Sequence, residues 1–129
     1  MQTLSVATSA RVEMIDITAQ VADAVRKENV RDGMALVFVP HTTAAVTINE
    51  NADPDVVRDI VAETAKIVPF DDDYQHGEGN SAAHIKTCLV GPSVTIPVSE
   101  GRLVLGTWQA VYFCEFDGPR RRTVHVTAK

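Results

Sequence analysis

The last third of the chain has the least freedom in how it folds. Between residues 93 and 127, four short runs rich in β-branched and aromatic residues (93–98, 103–105, 107–113 and 123–127) are separated by Gly101, Gly106 and Gly118. Runs this short, broken this closely by glycine, suit strands joined by tight turns, and they commit the chain to antiparallel pairing. Such a sheet needs another layer over its apolar face. The upstream elements therefore decide the fold class.

Thr18 stands as an N-cap ahead of a helical face formed by Val21, Ala24 and Val25, ending near Asn29 before the turn Arg31-Asp32-Gly33. Asp53-Pro54 combines a capping aspartate with proline at the first helical position, and Val56, Val57, Ile60, Val61 and Thr64 carry a stripe as far as Pro69. Ser81 caps a shorter helix, AAHIKTCLV, closed by Gly91. Leu4-Val6 and Val12-Met14 suit an opening antiparallel hairpin, residues 35–39 a strand buried on both faces, and residues 46–48 a further strand. The expectation is an α+β fold: a single compact domain over residues 1–129, mostly antiparallel β-sheet with two to three helices.

A chain of 129 residues suits one domain and hides roughly two-thirds of its unfolded surface. With 45% apolar residues, 22% charged residues and a formal net charge of −5, it reads as a soluble globular protein, and general nucleic-acid binding is not expected. Arg120-Arg121-Arg122 is a local exception, read as a solvated hairpin edge. Cys88 and Cys114 sit in apolar runs with no CxxC, as buried reduced thiols of a cytoplasmic protein do. The opening MQTLSVATSA is neither basic nor continuously apolar, and no run approaches 18 apolar residues, so neither secretion nor membrane spanning is expected.

Polar residues gather where apolar elements end. HTTAAVTINENADPD, from His41 to Asp55, follows directly on ALVFVP, and either solvates a chain reversal or lines a site. His76 and His84 flank a loop-to-helix junction and are close enough in sequence to reach one point. Imidazoles suit zinc or proton transfer near neutral pH, although each taken singly is equally a surface hydrogen-bonding residue. Glu50 reads as a general base, a metal ligand or a solvated carboxylate. Asn51 and Asn80 can offer amides to a ligand, with helix capping the competing role for Asn80. Asp71-Asp72-Asp73 is either a magnesium site or a hydrated acidic loop. Glu78, between Gly77 and Gly79, suits a binding loop, yet HGEGN lacks the lysine of a phosphate loop. Trp108 either stacks on a flat heterocycle or, more commonly for an indole, fills the core. Lys86, Arg102 and Arg120 are the candidates for neutralising phosphate, while His125 alternates within a strand and reads as structural.

Three segments, PHTTAAVTINENADPDV, HGEGNSAAHIK and SVTIPVSEGRLVLGTWQAVYFCEFDGPRRR, resemble the YjbQ family, and the resemblance extends over nearly the whole chain. It implies a compact α+β domain assembling as a homotrimer. It also implies a polar pocket around His41, His76 and His84, as catalytic or metal-ligating residues, with Glu50 and the turn carrying Thr107, Trp108 and Gln109 nearby. Thr42 belongs to the same expected ligand-binding set. Members are similar to proteins credited with a secondary thiamine-phosphate synthase activity, which joins a pyrimidine methyl pyrophosphate to a thiazole phosphate and releases pyrophosphate. The resemblance thus implies a small phosphorylated substrate and a divalent metal, magnesium or zinc. Two other readings stay open: a histidine-metal-dependent hydrolase with Glu50 or Glu78 as base, and a non-catalytic trimer that binds an anionic metabolite.

Overall fold

The segment QAVYFCE is a natural interior strand because each of its central residues is apolar and can pack on one face or the other. In the computed structural model, which describes residues 1–129, it is strand β7 (Gln109–Glu115). It lies at the centre of a three-stranded antiparallel sheet, flanked by β2 (Glu13–Asp16) and β4 (Ala44–Glu50). A second sheet runs β1–β8–β3–β5–β6, with β1 (Gln2–Ala7), β3 (Gly33–Phe38), β5 (Ser93–Ser99), β6 (Arg102–Leu103) and β8 (Arg121–Ala128). All pairings are antiparallel, as the glycine-punctuated C-terminal third requires.

The two sheets share one core. Ala35, Val37, Ile96, Val98, Val124 and Val126 face inward from the larger sheet, and Ala44, Val46, Val111 and Phe113 from the smaller. Helix α1 (Thr18–Lys27) adds Val21, Ala24 and Val25, the face its periodicity marks out. On its other side the small sheet carries Ala45, Cys114 and Phe116 against Ala83 of α3 (Ser81–Val90). Helix α2 (Pro54–Ile67) also covers that side, yet none of its residues is fully buried. No helix is long and apolar enough to cross a membrane.

Several local expectations hold. The Asp53 side chain accepts the N–H of Asp55 at 2.9 Å, Pro54 occupies the first turn, and Gly91 ends α3 at φ 102°. Others are corrected. The opening hairpin does not form: β1 pairs with β8 and β2 with β7, so the chain changes sheets between them. Thr8 pins that crossing, accepting the Arg120 N–H at 2.8 Å and donating to Glu115 at 2.8 Å. Thr18 is the first helical residue rather than the cap, and Asp16 does the capping by accepting the Thr18 N–H at 2.9 Å. Ser81 likewise lies inside its helix, one residue past Asn80.

The run at residues 35–39 is apolar throughout but buried on one face only. Met34, Leu36 and Phe38 point outward from the larger sheet with 55%, 39% and 40% exposure, and nothing in the chain covers them. Cys88 is exposed; only Cys114 is buried, and burial pushes its thiol up to about 12. Trp108 does not fill the core: it is 61% exposed. Arg122 is buried rather than part of a solvated edge, because its alternate position in β8 faces inward, where Glu115 receives it.

Candidate functional site

Asn80 holds the N-cap position of α3 but gives that helix no side-chain cap, because its Nδ2 donates instead to Asp117 at 2.9 Å. The backbone N–H groups of Ser81 and Ala82 therefore have no acceptor, and the first turn carries no acidic residue. Such a helix end is electropositive and offers free donors. The Asn80 Oδ1 is buried and also unpartnered.

Against this helix end lies a recess of about 410 Å³ lined by Asp73, Tyr74, Gln75, His76, Ser81 and His84. The polar loop brings His76 beside His84, one turn into α3, with ring centroids 5.4 Å apart and planes at 87°. Tyr74 is tied back by its hydroxyl, which donates to the Pro69 carbonyl at 2.6 Å, and this fixes the loop that carries His76. Burial, then the nearby Asp72 charge, raises the Tyr74 phenol above its usual value. Glu78 sits exposed on the glycine turn, where Gly79 takes φ 76°.

The other candidates fall elsewhere in the chain. His41, at the β3–β4 corner, accepts the Thr123 N–H at its Nε2 at 2.9 Å. Burial and then the Arg122 charge hold its pKa below the ordinary imidazole value. Thr42 is exposed beside it. Arg120 bonds Asp117, at 3.2 Å between its Nη2 and Oδ2, and thereby joins the Asn80 carboxamide at one acceptor. Lys86 does not line the histidine recess; it is buried on another side of α3.

Glu50 and Asn51 lie at the far end of β4. Six residue steps from Ala44 to Glu50 cover about 20 Å of strand, while Ala83 packs near the Ala45 end. Glu50 opposes Gln109 in register, and the Asn51 N–H donates to the Trp108 carbonyl at 3.1 Å. Gly106-Thr107-Trp108-Gln109 is a closed turn: the Gln109 Oε1 accepts the Gly106 N–H at 2.8 Å, and the Gln109 N–H returns to the Gly106 carbonyl at 3.0 Å. Asp16 and Tyr112 complete this end. Asp16 accepts from the Asn51 amide at 3.3 Å, and the Tyr112 hydroxyl donates to the Glu50 carbonyl at 3.0 Å. Burial and the charges of Asp16 and Glu50 raise the Tyr112 phenol. Arg102 shares a separate recess with Arg26, Arg31 and Glu100.

Within one chain, then, the residues expected around a single pocket do not meet: His76 and His84 line one recess, His41 sits at the β3–β4 corner, and Glu50, Asn51 and the Gly106–Gln109 turn lie at the far end of β4. No set of three or more His, Cys, Asp or Glu side chains converges to hold a metal, so His41, His76 and His84 do not make a three-imidazole centre within the chain. Sequence reasoning did not single out Tyr74, Asp16, Tyr112 or Glu115. Their significance comes from pairing across strands and loops, which leaves no local signature.

The sequence matches the family described as UPF0047 protein YjbQ-like over residues 2–129. UPF0047 protein YugU of Bacillus subtilis is 49% identical, covering 98% of this chain and 96% of the relative. A relative from Methanocaldococcus jannaschii is 50% identical over 92% of this chain and 86% of its own length. A crystal structure of a YjbQ/UPF0047-family protein from Clostridium acetobutylicum superposes with a TM-score of 0.98 at 54% identity, covering 100% of both chains. A YbjQ-like protein from Sulfolobus solfataricus gives a TM-score of 0.94 at 34% identity, over 98% of this chain and 94% of its own. A sequence match over nearly every residue and the same arrangement of two sheets and three helices lead to one conclusion: the chain belongs to the YjbQ/UPF0047 family.

Proposed function

We propose that the protein is a small-molecule transferase whose site is the recess at the N-terminus of α3, and that its substrate carries a phosphate or pyrophosphate group. One observation carries this reading: Ser81, whose N–H is uncapped at the start of α3, lines the same recess as the edge-to-face pair His76 and His84. Free helix N-terminal amides receive phosphate oxygens without needing a lysine, and imidazoles add donors or move protons near neutral pH.

The reaction that fits this pattern is the one credited to thiamine-phosphate synthase-like proteins. The thiazole nitrogen attacks the pyrimidine methylene carbon, a C–N bond forms, and the C–O bond to pyrophosphate breaks, the electron pair leaving with pyrophosphate. The amides and imidazoles stabilise the charge that develops on the leaving group. Magnesium, when bound to pyrophosphate, supplies further neutralisation of that charge. The donors present in one chain do not make a resident metal centre, so the protein's own contribution is binding, orientation and proton handling.

The group at the far end of β4, Glu50, Asn51 and the Gly106–Gln109 turn, joins the recess across a contact between subunits. A ring of three head-to-tail copies brings opposite ends of neighbouring chains together. The outward row Met34, Leu36 and Phe38 gives such an assembly apolar surface to bury. In this reading Trp108, exposed on its turn, stacks on a substrate heterocycle held by the neighbouring copy.

The test is thiamine phosphate formation from both precursors with magnesium, using wild-type protein, His76→Ala, Glu50→Ala, and a refolded mixture of the two variants. Loss of activity in each variant with recovery in the mixture supports a shared transferase site. Absence of wild-type activity removes the transferase reading. Stoichiometric zinc with hydrolytic turnover would replace it by a metal-dependent hydrolase, and tight ligand binding without turnover by a binding protein.

A further inference from the structure

Helix α2 rests on the outer face of the small sheet without burying any residue completely. Beneath it lie two adjoining cavities, each of about 280 Å³, which share Thr64, Leu89, Val90 and Phe116. The first reaches to Met14, Ile60 and Val61; the second ends at Ile67, Val68 and Lys86. Apart from Lys86 and a few hydroxyl or amide groups, the lining is apolar. Both open to solvent at the rim, where Ile67 and Leu89 are each 67% exposed, so together they form an apolar groove under the helix rather than an enclosed void.

Lys86 makes the groove unusual chemically. Its side chain is 6% exposed, forms no ion pair and donates no hydrogen bond to the protein. The nearest favourable feature is the Phe116 ring, whose centroid lies 5.8 Å from Nζ. A cation over an aromatic face regains part of what desolvation removes, but it does not replace a counter-charge. Burial accordingly lowers the Lys86 pKa. A lysine side chain 6% exposed at the end of an apolar groove, with no acid supplied by the fold, leaves its amine available to an anion from outside.

We infer that the cavity under α2 binds a small amphipathic monocarboxylate, its head paired with Lys86 and its apolar chain lying between Thr64, Val61, Phe116 and Met14. A single amine balances a single negative charge, and no second cation or cluster of donors lines the cavity to satisfy a dianionic phosphate. The lining follows α2 from Ile60 to Ile67, about 10 Å of helix, which suits a chain of about eight carbons. This site is separate from the histidine recess and does not depend on the transferase reading: the two share no lining residue.

Octanoate, octanol and octylamine distinguish the possibilities by calorimetry and amide NMR on the intact protein. The expected result is octanoate binding at least about tenfold tighter than octanol, with no octylamine binding, and shifts confined to α2, α3 and the strands beneath them. Lys86→Met keeps the chain's volume and removes the charge; it should erase the octanoate preference while octanol still binds. Thr64→Phe, which fills the shared part of the cavity, should weaken both ligands. Equal affinity for octanoate and octanol, an octanoate affinity unchanged in Lys86→Met, or no binding of either at millimolar concentration overturns the inference.

Discussion

The Glu115 carboxylate and the Arg122 guanidinium meet between the two sheets, at 0% and 3% exposure, and hold the sheets in register at one end. Glu115 accepts Arg122 Nε at 2.9 Å, Thr8 at 2.8 Å and the Phe116 and Asp117 N–H groups at 3.1 Å each, while Arg122 Nη2 also reaches Thr43 Oγ1 at 2.9 Å. Burial alone would raise the Glu115 carboxyl; the Arg122 and Thr8 hydrogen bonds and the Asp117 amide reverse the direction and hold it below its usual value.

Removing one partner leaves the other charge buried. Arg122→Met should therefore lower unfolding stability by about 3–5 kcal/mol, measured by urea denaturation at pH 7. Glu115→Gln should lower it less if combined with Arg122→Met, because the double variant buries no unpaired charge. Losses that simply add in the double variant would show that the two charges do not act as a pair.

The pH dependence separates His41 from the acidic groups. His41 is held below 6.5 when folded, so its contribution to stability is complete above the unfolded imidazole value and is lost as pH falls through the folded one. For Glu115, also depressed, the contribution is present above 4.5 and is lost further down. Stability should begin to fall just below pH 6.5, and His41→Gln should remove that first decline while leaving the more acidic one. An unchanged profile in His41→Gln would exclude the assignment.

Gly118 lies against the segment that joins β1 to β2. A Cβ at this position would collide with the Ala10 carbonyl and come within 2.8 Å of Glu115 Cγ and 2.9 Å of Thr8 Oγ1. Gly118→Ala should cost about 1–3 kcal/mol through overpacking, read as a lowered urea midpoint. A substitution without effect would mean that the β7–β8 turn yields freely.

The outward face of β3 tests the assembly. Leu36→Glu places a charge between Met34 and Phe38 without touching the core. If the proposed trimer forms through this face, sedimentation should show a trimer for the wild type and a monomer for the variant, with the fold retained by circular dichroism. A trimer that survives the substitution would place the subunit contact on another surface.

How much of this was legible in the sequence varies by element. Caps and stops such as Asp53-Pro54 and Gly91 act locally, so the sequence revealed them. Strands with glycine between them were also readable, although Thr107 and Trp108 proved to be turn rather than strand. The apolar continuity of residues 35–39 was misleading: Leu36 and Phe38 are as apolar as their inward-facing neighbours Ala35 and Val37, yet they point out of the sheet. Arg122 misled in the opposite direction, since its partner lies on another strand and only the fold brings Glu115 to it. His76 and His84 were legible as a pair because one loop and one helix separate them. The position of Glu50 at the other end of β4 follows from strand direction, which residue types do not encode.

The most direct test of the central claim is an imidazole proton NMR titration of the protein with inorganic pyrophosphate, its four histidines assigned by single substitution. The account predicts that the His76 and His84 resonances move together and saturably, along with the Ser81 and Ala82 amides, while His125 stays still. Resonances of His76 and His84 that do not move, or movement confined to other sites, would contradict an anion-binding site at the head of α3.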